Sequence, residues 1–373
     1  MRKVVVASDS FKGSLSSEQV GDAVEKGIHE VYPDCEVVKL GVADGGEGTL
    51  NVFRKIEDCT EVKMTVHGPL SAEVEASYLI LSDGNTAVIE LASVCGLTLV
   101  PGKQRDPIKS RTYGLGQLVM DAIGRGCRKV IVTLGGSATV DAGMGMLSAM
   151  GFKFYNHGTY QGEPMPNACY GAELELLIDY DDSQVPQAVR DTEFVAVCDV
   201  AAPLCGPEGA ALRYGPQKGM DKEMAQAIED GMANFSAIVN RKTGVNLYDL
   251  PGAGAAGGVG GAMKALLNAE IRMGADVVLD AVGFEKVIEG ADLVITGEGM
   301  IDDQTMAGKL PFAVARRSAG IPVIGICGRS EVHSLPHFAK ILPVTPPDMP
   351  LRKAMQIQTA KENIKTAIED LLK

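Results

Sequence analysis

Short apolar runs alternate with longer amphipathic segments at the start of the chain. Val4 to Ser8 is an apolar run that ends at Asp9, which predicts a buried parallel strand. A helix is predicted from Ser17 to about Val31, a second strand from Cys35 to Leu40, and a second helix from Thr49 to Asp58. This order of strand, helix, strand and helix predicts parallel strands whose following loops leave the sheet at one edge.

The middle of the chain breaks this rhythm. Strands without intervening helices are predicted at Glu61–His67, Glu73–Leu81 and Thr86–Glu90, with a hairpin-like turn at Ser82–Asn85. The other elements predicted in the middle are a strand at Arg128–Leu134, a strand at Phe194–Cys198 and a helix over residues 221–240.

The last third returns to the opening pattern, with strands predicted at Ala291–Thr296, Ile321–Ile326 and Ile341–Val344 and helices from about 309 and 350. A chain of 373 residues is longer than one compact core usually accommodates. We therefore predict an α/β fold with two domains. Residues 1–60 and 290–373 would form a discontinuous, doubly wound parallel-sheet domain of the Rossmann or flavodoxin type, and residues 61–289 an inserted second α/β domain. The cleft between the domains is the expected active site.

Composition narrows the functional classes. The net charge of −13 argues against a nucleic-acid or anionic-membrane partner, since both require a basic surface. A local positive pocket for a small anionic substrate remains compatible with that charge. The 44 glycines gather in short bursts near strand ends, which suggests loops whose backbone binds a ligand.

Targeting and redox signals predict a soluble cytoplasmic protein. The eight cysteines form no C-x-x-C pair and no zinc-type spacing, which is typical of free thiols in a reducing compartment. The first apolar run ends at Asp9, too soon for a signal peptide, and no stretch approaches the ~20 apolar residues of a membrane span. The sequence does not predict an oligomeric state.

Carboxylates follow several predicted strands, namely Asp9, Asp44, Asp199 and Glu298. A single such residue is more often a helix cap or a turn residue. Four together favour a ligand site, because open α/β sheets bind ligands at the carboxyl ends of their strands. Carboxylate oxygens also suit Mg²⁺, which takes one or two of them in addition to substrate phosphates.

Two glycine-rich segments are candidate phosphate loops. Gly135–Gly145 follows a predicted strand and leads into a helix. Gly252–Gly261 contains a G-x-G-x-x-G match, but a poor strand precedes it, which argues against a Rossmann fingerprint. For this second segment a phosphate cradle and a tight helix–helix contact are both open. Walker A and protein-kinase signatures are absent from the sequence.

Three polar side chains in loops are candidate ligand groups. Lys12 lies just after the first strand, beside Gly13, and could pair with a carboxylate or a phosphate. Gln217 and Lys218 are donors in the rigid loop Gly215–Gly219. The alternative for all three is a solvated surface position.

The chain resembles the class I glycerate kinases over essentially its whole length. The segments that carry the resemblance are Asp9-Ser-Phe-Lys-Gly-Ser-Leu-Ser16, Ala43-Asp-Gly-Gly-Glu-Gly-Thr49, Thr112-Tyr-Gly-Leu-Gly116, Leu134-Gly-Gly-Ser-Ala-Thr139, Cys198-Asp199 with Pro203-Leu204, Gly215-Pro-Gln-Lys-Gly219, Gly252 to Gly261, and Thr296-Gly-Glu-Gly299 with Asp302 and Gly308-Lys309. Val140 and Ala202 depart from the family pattern, in which an asparagine is usual at each place.

The resemblance implies two α/β domains and transfer of the γ-phosphoryl group of ATP to D-glycerate with Mg²⁺. It favours the 2-position as acceptor and leaves the 3-position open. On this interpretation the predicted catalytic residues are Asp199 as base, Lys12 and Asp44. The predicted substrate-binding residues are Ser10, Lys12, Asp44, Gly45, Gly46, Gln217 and Lys218. The predicted nucleotide-binding residues are Gly135, Gly136, Ser137, Thr139, Gly252, Gly254, Gly257 and Gly258, and the predicted metal ligands are Glu298 and Asp302.

Two other functions compete with this one. A nicotinamide-dependent dehydrogenase of a small hydroxy acid would use the glycine match at 252–257 and bind a dinucleotide. A non-catalytic anion-binding protein with two hinged lobes would need no carboxylates at strand ends. The strand-end carboxylates therefore favour the kinase.

Overall fold

The computed structural model describes residues 1–42, 49–56, 58–70, 72–157, 164–165, 170–199, 201–302, 305–306, 308–318 and 320–373. The strands in these ranges are β1 (Lys3–Val6), β2 (Glu36–Lys39), β3 (Thr60–His67), β4 (Glu73–Ile80), β5 (Thr86–Glu90), β6 (Lys129–Thr133), β7 (Lys153–Asn156), β8 (Leu177–Asp181), β9 (Glu193–Val197), β10 (Glu270–Arg272), β11 (Leu293–Ile301), β12 (Val323–Ser330) and β13 (Lys340–Pro343). The α-helices are α1 (Ser17–Val31), α2 (Thr49–Ile56), α3 (Ala92–Cys95), α4 (Tyr113–Gly124), α5 (Met144–Ala149), α6 (Gln187–Arg190), α7 (Gly215–Lys218), α8 (Lys222–Thr243), α9 (Val259–Leu266), α10 (Gly274–Ala281), α11 (Phe284–Ile288), α12 (Leu310–Arg317), α13 (Leu351–Ala354) and α14 (Ile357–Leu372).

The chain folds into two compact units. Unit 1 contains Met1–Ile56 and Met273–Lys373, and unit 2 contains Glu57–Arg272. The second boundary falls earlier in the chain than the predicted position near 290. The reason is that α10 and α11 bury Leu279 and Phe284 in the core of unit 1, together with Val294 of β11.

Unit 1 is built on a parallel sheet with the strand order β13-β12-β11-β1-β2. Renumbered within the unit, this is the 2-1-3-4-5 order of flavodoxin-like folds, read from the other edge. Successive residues of β1 point to opposite faces of the sheet. Val4 and Val6 pack in the core that includes α1 and α14, whereas Val5 and Ala7 pack in the core that includes α10 and α12. The prediction of a doubly wound α/β sheet is confirmed.

Unit 2 is a second α/β assembly. Its main sheet has the order β10-β9-β6-β5-β4-β3, in which β10, β9, β6 and β5 are parallel and β4 and β3 are antiparallel. A two-stranded antiparallel sheet, β7 with β8, lies outside it. The main core of the unit includes buried residues of α4, α5, α8 and α9. No helix among the described residues is long and apolar enough to cross a membrane.

Helix α4 was not predicted from the sequence, and its glycines have a packing role. A Cβ atom at Gly114 would lie 1.9 Å from the carbonyl oxygen of His67, and one at Gly116 would lie 2.3 Å from that of Met146. Both glycines belong to a segment that carries the family resemblance. Close backbone approach therefore accounts for these two glycines without any ligand.

Replacing Gly114 should expose this constraint. Gly114→Ala adds a methyl group against the backbone carbonyl of His67, and it should lower the free energy of unfolding by about 1–3 kcal/mol. Gly124 ends the same helix, and a Cβ atom there would meet nothing within 4 Å. Gly124→Ala should be neutral or stabilising by up to about 1 kcal/mol. Denaturant unfolding of both variants tests this, and equal effects would refute the packing argument.

Candidate active site

Backbone hydrogen bonds hold the loop after β1 in a tight turn around Lys12. Phe11 and Leu15 are buried and exchange backbone hydrogen bonds of 2.9 and 3.0 Å, which leaves Lys12 exposed between them. Ser16 then begins α1 with a capping box, in which its Oγ accepts from Gln19 N and Gln19 Oε1 accepts from Ser16 N.

The same loop lies against β11. Asp9 N donates a 2.9 Å hydrogen bond to Gly297 O, and Ser8 Oγ donates to the same oxygen at 3.0 Å. Ser10 N donates to Asp9 Oδ1 at 2.6 Å. Ser10 is half-buried at the base of the loop. The adjacent strands β1 and β11 form the switch point of the sheet, which is where such folds bind ligands.

Glu298 lies within a strand, which corrects the sequence prediction. We expected a strand ending at Thr296 followed by a loop, but β11 continues to Ile301 and remains paired with β12. Gly297 permits the close pairing, because a Cβ atom there would lie 2.2 Å from Ile326 O. Strand pairing therefore holds the backbone from which the Glu298 side chain extends.

Glu298 and Asp302 belong to one cluster with Thr305 and Lys309. Thr305 Oγ1 donates to Glu298 Oε1 at 2.8 Å, and Thr305 N donates to Asp302 Oδ1 at 3.2 Å. Lys309 Nζ lies 3.4 Å from Glu298 Oε2 and 3.6 Å from Asp302 Oδ1. The two predicted metal ligands are thus brought together around one ammonium group.

The donor set of this cluster fits a hard divalent cation. Burial raises the pKa of Glu298, opposed by the hydrogen bond from Thr305 and the charge of Lys309. Two carboxylates match the one or two that Mg²⁺ takes when phosphates supply further oxygens. Among the described residues no group of three or more His, Cys, Asp and Glu side chains is placed so that it could hold a metal ion. Asp44, Gly45 and Gly46 lie outside the described residues.

In unit 2, the loop after β6 is held by a buried lysine. Lys218 is 3% exposed, and its Nζ donates to Ser137 Oγ at 2.9 Å and to Thr139 O at 2.7 Å. Burial lowers the pKa of Lys218 to about 7, and the charge of Asp141 opposes this effect. The sequence placed Lys218 among surface or substrate-binding residues, whereas these two hydrogen bonds go to the loop.

Asp141 shapes the other end of this loop. Its carboxylate is fully buried and accepts hydrogen bonds from Thr112 N, Thr112 Oγ1, Gly143 N and Gly145 N at 2.7–3.1 Å. Burial raises the pKa of Asp141, and these four donors oppose that effect. Gly135 and Gly136 lie at the more open end of the loop, and Gly136 has φ of +71°.

Within the described residues, the hydroxyl of Thr139 is buried and has no hydrogen-bond partner. Such a group carries a free-energy cost unless a water molecule or a ligand satisfies it. It therefore marks a point in this loop where an additional polar atom would be favoured.

The glycine-rich segment before α9 is packed against protein backbone. A Cβ atom at Gly254 would lie 2.1 Å from Pro203 O, and one at Gly257 would lie 2.0 Å from Thr139 O. Gly252 and Gly258 have positive φ and are also buried. These contacts are tight packing, as in the second interpretation left open by the sequence, but they are made with loop backbone and not between two helices. The described residues just before the segment form no strand, which a dinucleotide fingerprint would require.

Asp199 follows β9, the neighbour of β6 in the sheet. Leu134 N donates to Val197 O at 2.9 Å, so the segment that contains Asp199 and the loop containing Gly135 leave the same edge. Asp199 is half-buried. Gln217 is exposed, and its carbonyl oxygen accepts a hydrogen bond from Arg105 at 2.8 Å.

Comparison with known proteins decides the family. The family model described as the glycerate kinase family matches residues 4–373. A glycerate kinase from Bacillus cereus (strain ATCC 10987 / NRS 248) is 39% identical over 99% of this chain and 97% of its own. The chain belongs to the glycerate kinase family. A glycerate 2-kinase from Escherichia coli (strain K12) is 40% identical over 87% of this chain and 85% of its own. The crystal structure of a candidate glycerate kinase 2 from Salmonella typhimurium LT2 has 37% identity and a TM-score of 0.83, covering 100% of this chain and 97% of that one.

Membership of the glycerate kinase family confirms the predicted enzyme class and gives no support to a dehydrogenase. Sequence reasoning missed Lys309, Thr112 and Asp141 as site residues. A signal existed for each, because all three lie in or beside the segments that carry the family resemblance.

In this member of the glycerate kinase family, the pH dependence of stability should show that the pKa of the buried Lys218 is lowered. The pKa of Lys218 is about 7 in the folded protein and about 10.4 in an unfolded chain. The unfolded state therefore binds more protons between these values, and stability rises with pH. From pH 7 to 9, the free energy of unfolding of the wild type should rise by about 2 kcal/mol relative to Lys218→Met.

Denaturant unfolding at both pH values measures this difference. Lys222→Met, which removes an exposed lysine nearby in the sequence, should keep the wild-type pH dependence. Parallel pH profiles for the wild type and Lys218→Met would show that the lysine keeps an ordinary pKa.

Proposed function

We propose that this protein transfers the γ-phosphoryl group of ATP to D-glycerate, giving 2-phosphoglycerate and ADP. The observation that carries the proposal is in unit 1, where the loop that contains Lys12 and the carboxylates of Glu298 and Asp302 follow the two strands of the switch point. The match of the family model to residues 4–373 supports it. The named function of the Escherichia coli relative supports the 2-position.

Glycerate is a small anion, and this chain carries a net charge of −13. A local cation is needed to bind its carboxylate against that background. We propose that Lys12 provides this charge, with Ser10 and the predicted residues Asp44, Gly45 and Gly46 completing the subsite. The exposed position of Lys12 on a tightly folded loop supports the assignment.

The loop after β6 is the proposed phosphate-binding element, through Gly135, Gly136, Ser137 and Thr139. Support comes from its position at the carboxyl end of a parallel strand and from the unsatisfied Thr139 hydroxyl. We propose that Lys218 holds this loop in shape rather than contacting glycerate. The predicted placement of the active site between two domains stays a prediction.

Phosphoryl transfer forms a bond from the acceptor hydroxyl oxygen to the γ-phosphorus and breaks the bond to the bridging oxygen of ADP. The hydroxyl proton moves to a base, for which Asp199 is our proposal. Glu298 and Asp302 would hold Mg²⁺, which neutralises phosphate charge when bound. The protein's main contribution is to orient the two reactants and hold charge in place.

A reducing cytoplasm is the proposed location. The described cysteines are all free, and most of them are buried. Thiols in this state are typical of proteins that are not exposed to oxidising conditions.

Incubation of the purified protein with ATP, Mg²⁺ and D-glycerate should produce ADP in proportion to a phosphorylated product. Phosphorus NMR identifies the acceptor position, because the phosphorus signal is split by the protons on the carbon that carries the phosphate. A phosphate on carbon 2 has one neighbouring proton and gives a doublet, whereas one on carbon 3 has two and gives a triplet. We expect the doublet.

Reactions without glycerate or without metal are the controls, and both should leave ATP intact. A folded protein that forms no ADP above these controls would refute the proposed function. A triplet would keep the kinase activity and move the acceptor to the 3-position.

A further inference from the structure

The ammonium group of Lys309 lies close to the proposed metal site. It is 3.4 Å from Glu298 Oε2 and 3.6 Å from Asp302 Oδ1, the two carboxylates proposed as metal ligands. Both carboxylates are largely shielded from solvent, with side chains 14% and 22% exposed. Lys309 therefore partly neutralises, in the metal-free protein, the charge of the two carboxylates that would attract the metal.

A divalent cation bound to these same oxygens would lie close to the ammonium of Lys309. A metal ion binds carboxylate oxygen at about 2.0–2.6 Å, which would bring it within a few ångströms of Nζ. Like charges at that separation repel strongly, above all where solvent is partly excluded. Lys309 consequently opposes metal binding at this pair unless its side chain moves away.

The local structure lets the side chain move while its backbone stays fixed. Lys309 precedes the first residue of α12, and its carbonyl oxygen accepts hydrogen bonds of 3.1 Å from Phe312 N and Ala313 N. Its side chain is 36% exposed, so the ammonium has a route into solvent. Thr305 holds Glu298 independently, through its 2.8 Å hydrogen bond to Oε1.

We propose that Lys309 is an internal counter-ion that competes with the divalent cation and sets the metal affinity of the protein. This rests on the proposed function only in taking Glu298 and Asp302 as the metal ligands. Removal of the ammonium should strengthen metal binding, even though it removes a residue that contacts the site. A residue that merely supports the fold would have the opposite effect or none.

The chain offers a matched control. Lys39 Nζ also lies between two carboxylates, 2.7 Å from Asp22 and 2.7 Å from Glu25. Its side chain is 35% exposed, nearly the same as that of Lys309. Lys39→Met thus makes the same change in net charge and breaks a similar bridge, at a place with no proposed metal ligand.

Mn²⁺ binding to the protein without nucleotide tests the inference, by titration calorimetry and by the electron paramagnetic resonance signal of free Mn²⁺. Lys309→Met should bind Mn²⁺ about tenfold more tightly than the wild type, the scale of two lost ion pairs of this exposure. Lys39→Met should match the wild type. In the double variant Lys309→Met with Glu298→Gln, the gain should disappear.

Equal Mn²⁺ affinity in the wild type and Lys309→Met would overturn the inference, as would a gain that survives Glu298→Gln. Thermal unfolding of each variant shows that it is folded before binding is measured. The assay involves no turnover. A failure of phosphoryl transfer to glycerate would therefore be seen separately, in the ADP measurement with the wild type.

Discussion

Parallel pairing of β1 with β11 joins two parts of the chain that are remote in sequence. Ser8 Oγ donates to Gly297 O across 289 residues, and β1 also pairs with β2 on its other edge. Because the strand order reverses at this pair, the loops after the two strands leave in different directions from one edge. The positions of Lys12 and Glu298 both follow from this pairing. The proposed chemistry of unit 1 depends on it.

In unit 2, buried charged side chains fix the shape of the loop after β6. Lys218 is desolvated and donates to two residues of the loop after β6, while Asp141 accepts four hydrogen bonds at the other end of that loop. Buried polar groups are costly unless they are satisfied, so such a network fixes one conformation of the loop. The clash that a side chain at Gly257 would make with Thr139 O constrains it further.

Sequence reasoning predicted the alternation of strands and helices in unit 1 because apolar periodicity and caps are local signals. The helix at Ser17–Val31 has the predicted bounds, since Ser16 and Gln19 form a capping box. The extension of β11 through Glu298 could not be predicted, because it depends on pairing with β12. The burial of Lys218 could not be predicted either, because an exposed and a buried loop lysine look the same in a sequence. The bridge made by Lys309 likewise requires three-dimensional distances.

The proposed function depends most on binding of the substrate carboxylate by Lys12 in the loop after β1. The most direct test of this binding is kcat/KM for D-glycerate in Lys12→Met, with Lys39→Met as the control for loss of one charge. Losing a charge-assisted hydrogen bond to the substrate costs roughly 1.5–3 kcal/mol. We therefore expect kcat/KM to fall about tenfold or more, with little change in ATP binding or in Tm. Near-wild-type activity in Lys12→Met would contradict this role and make Lys12 a solvated surface residue.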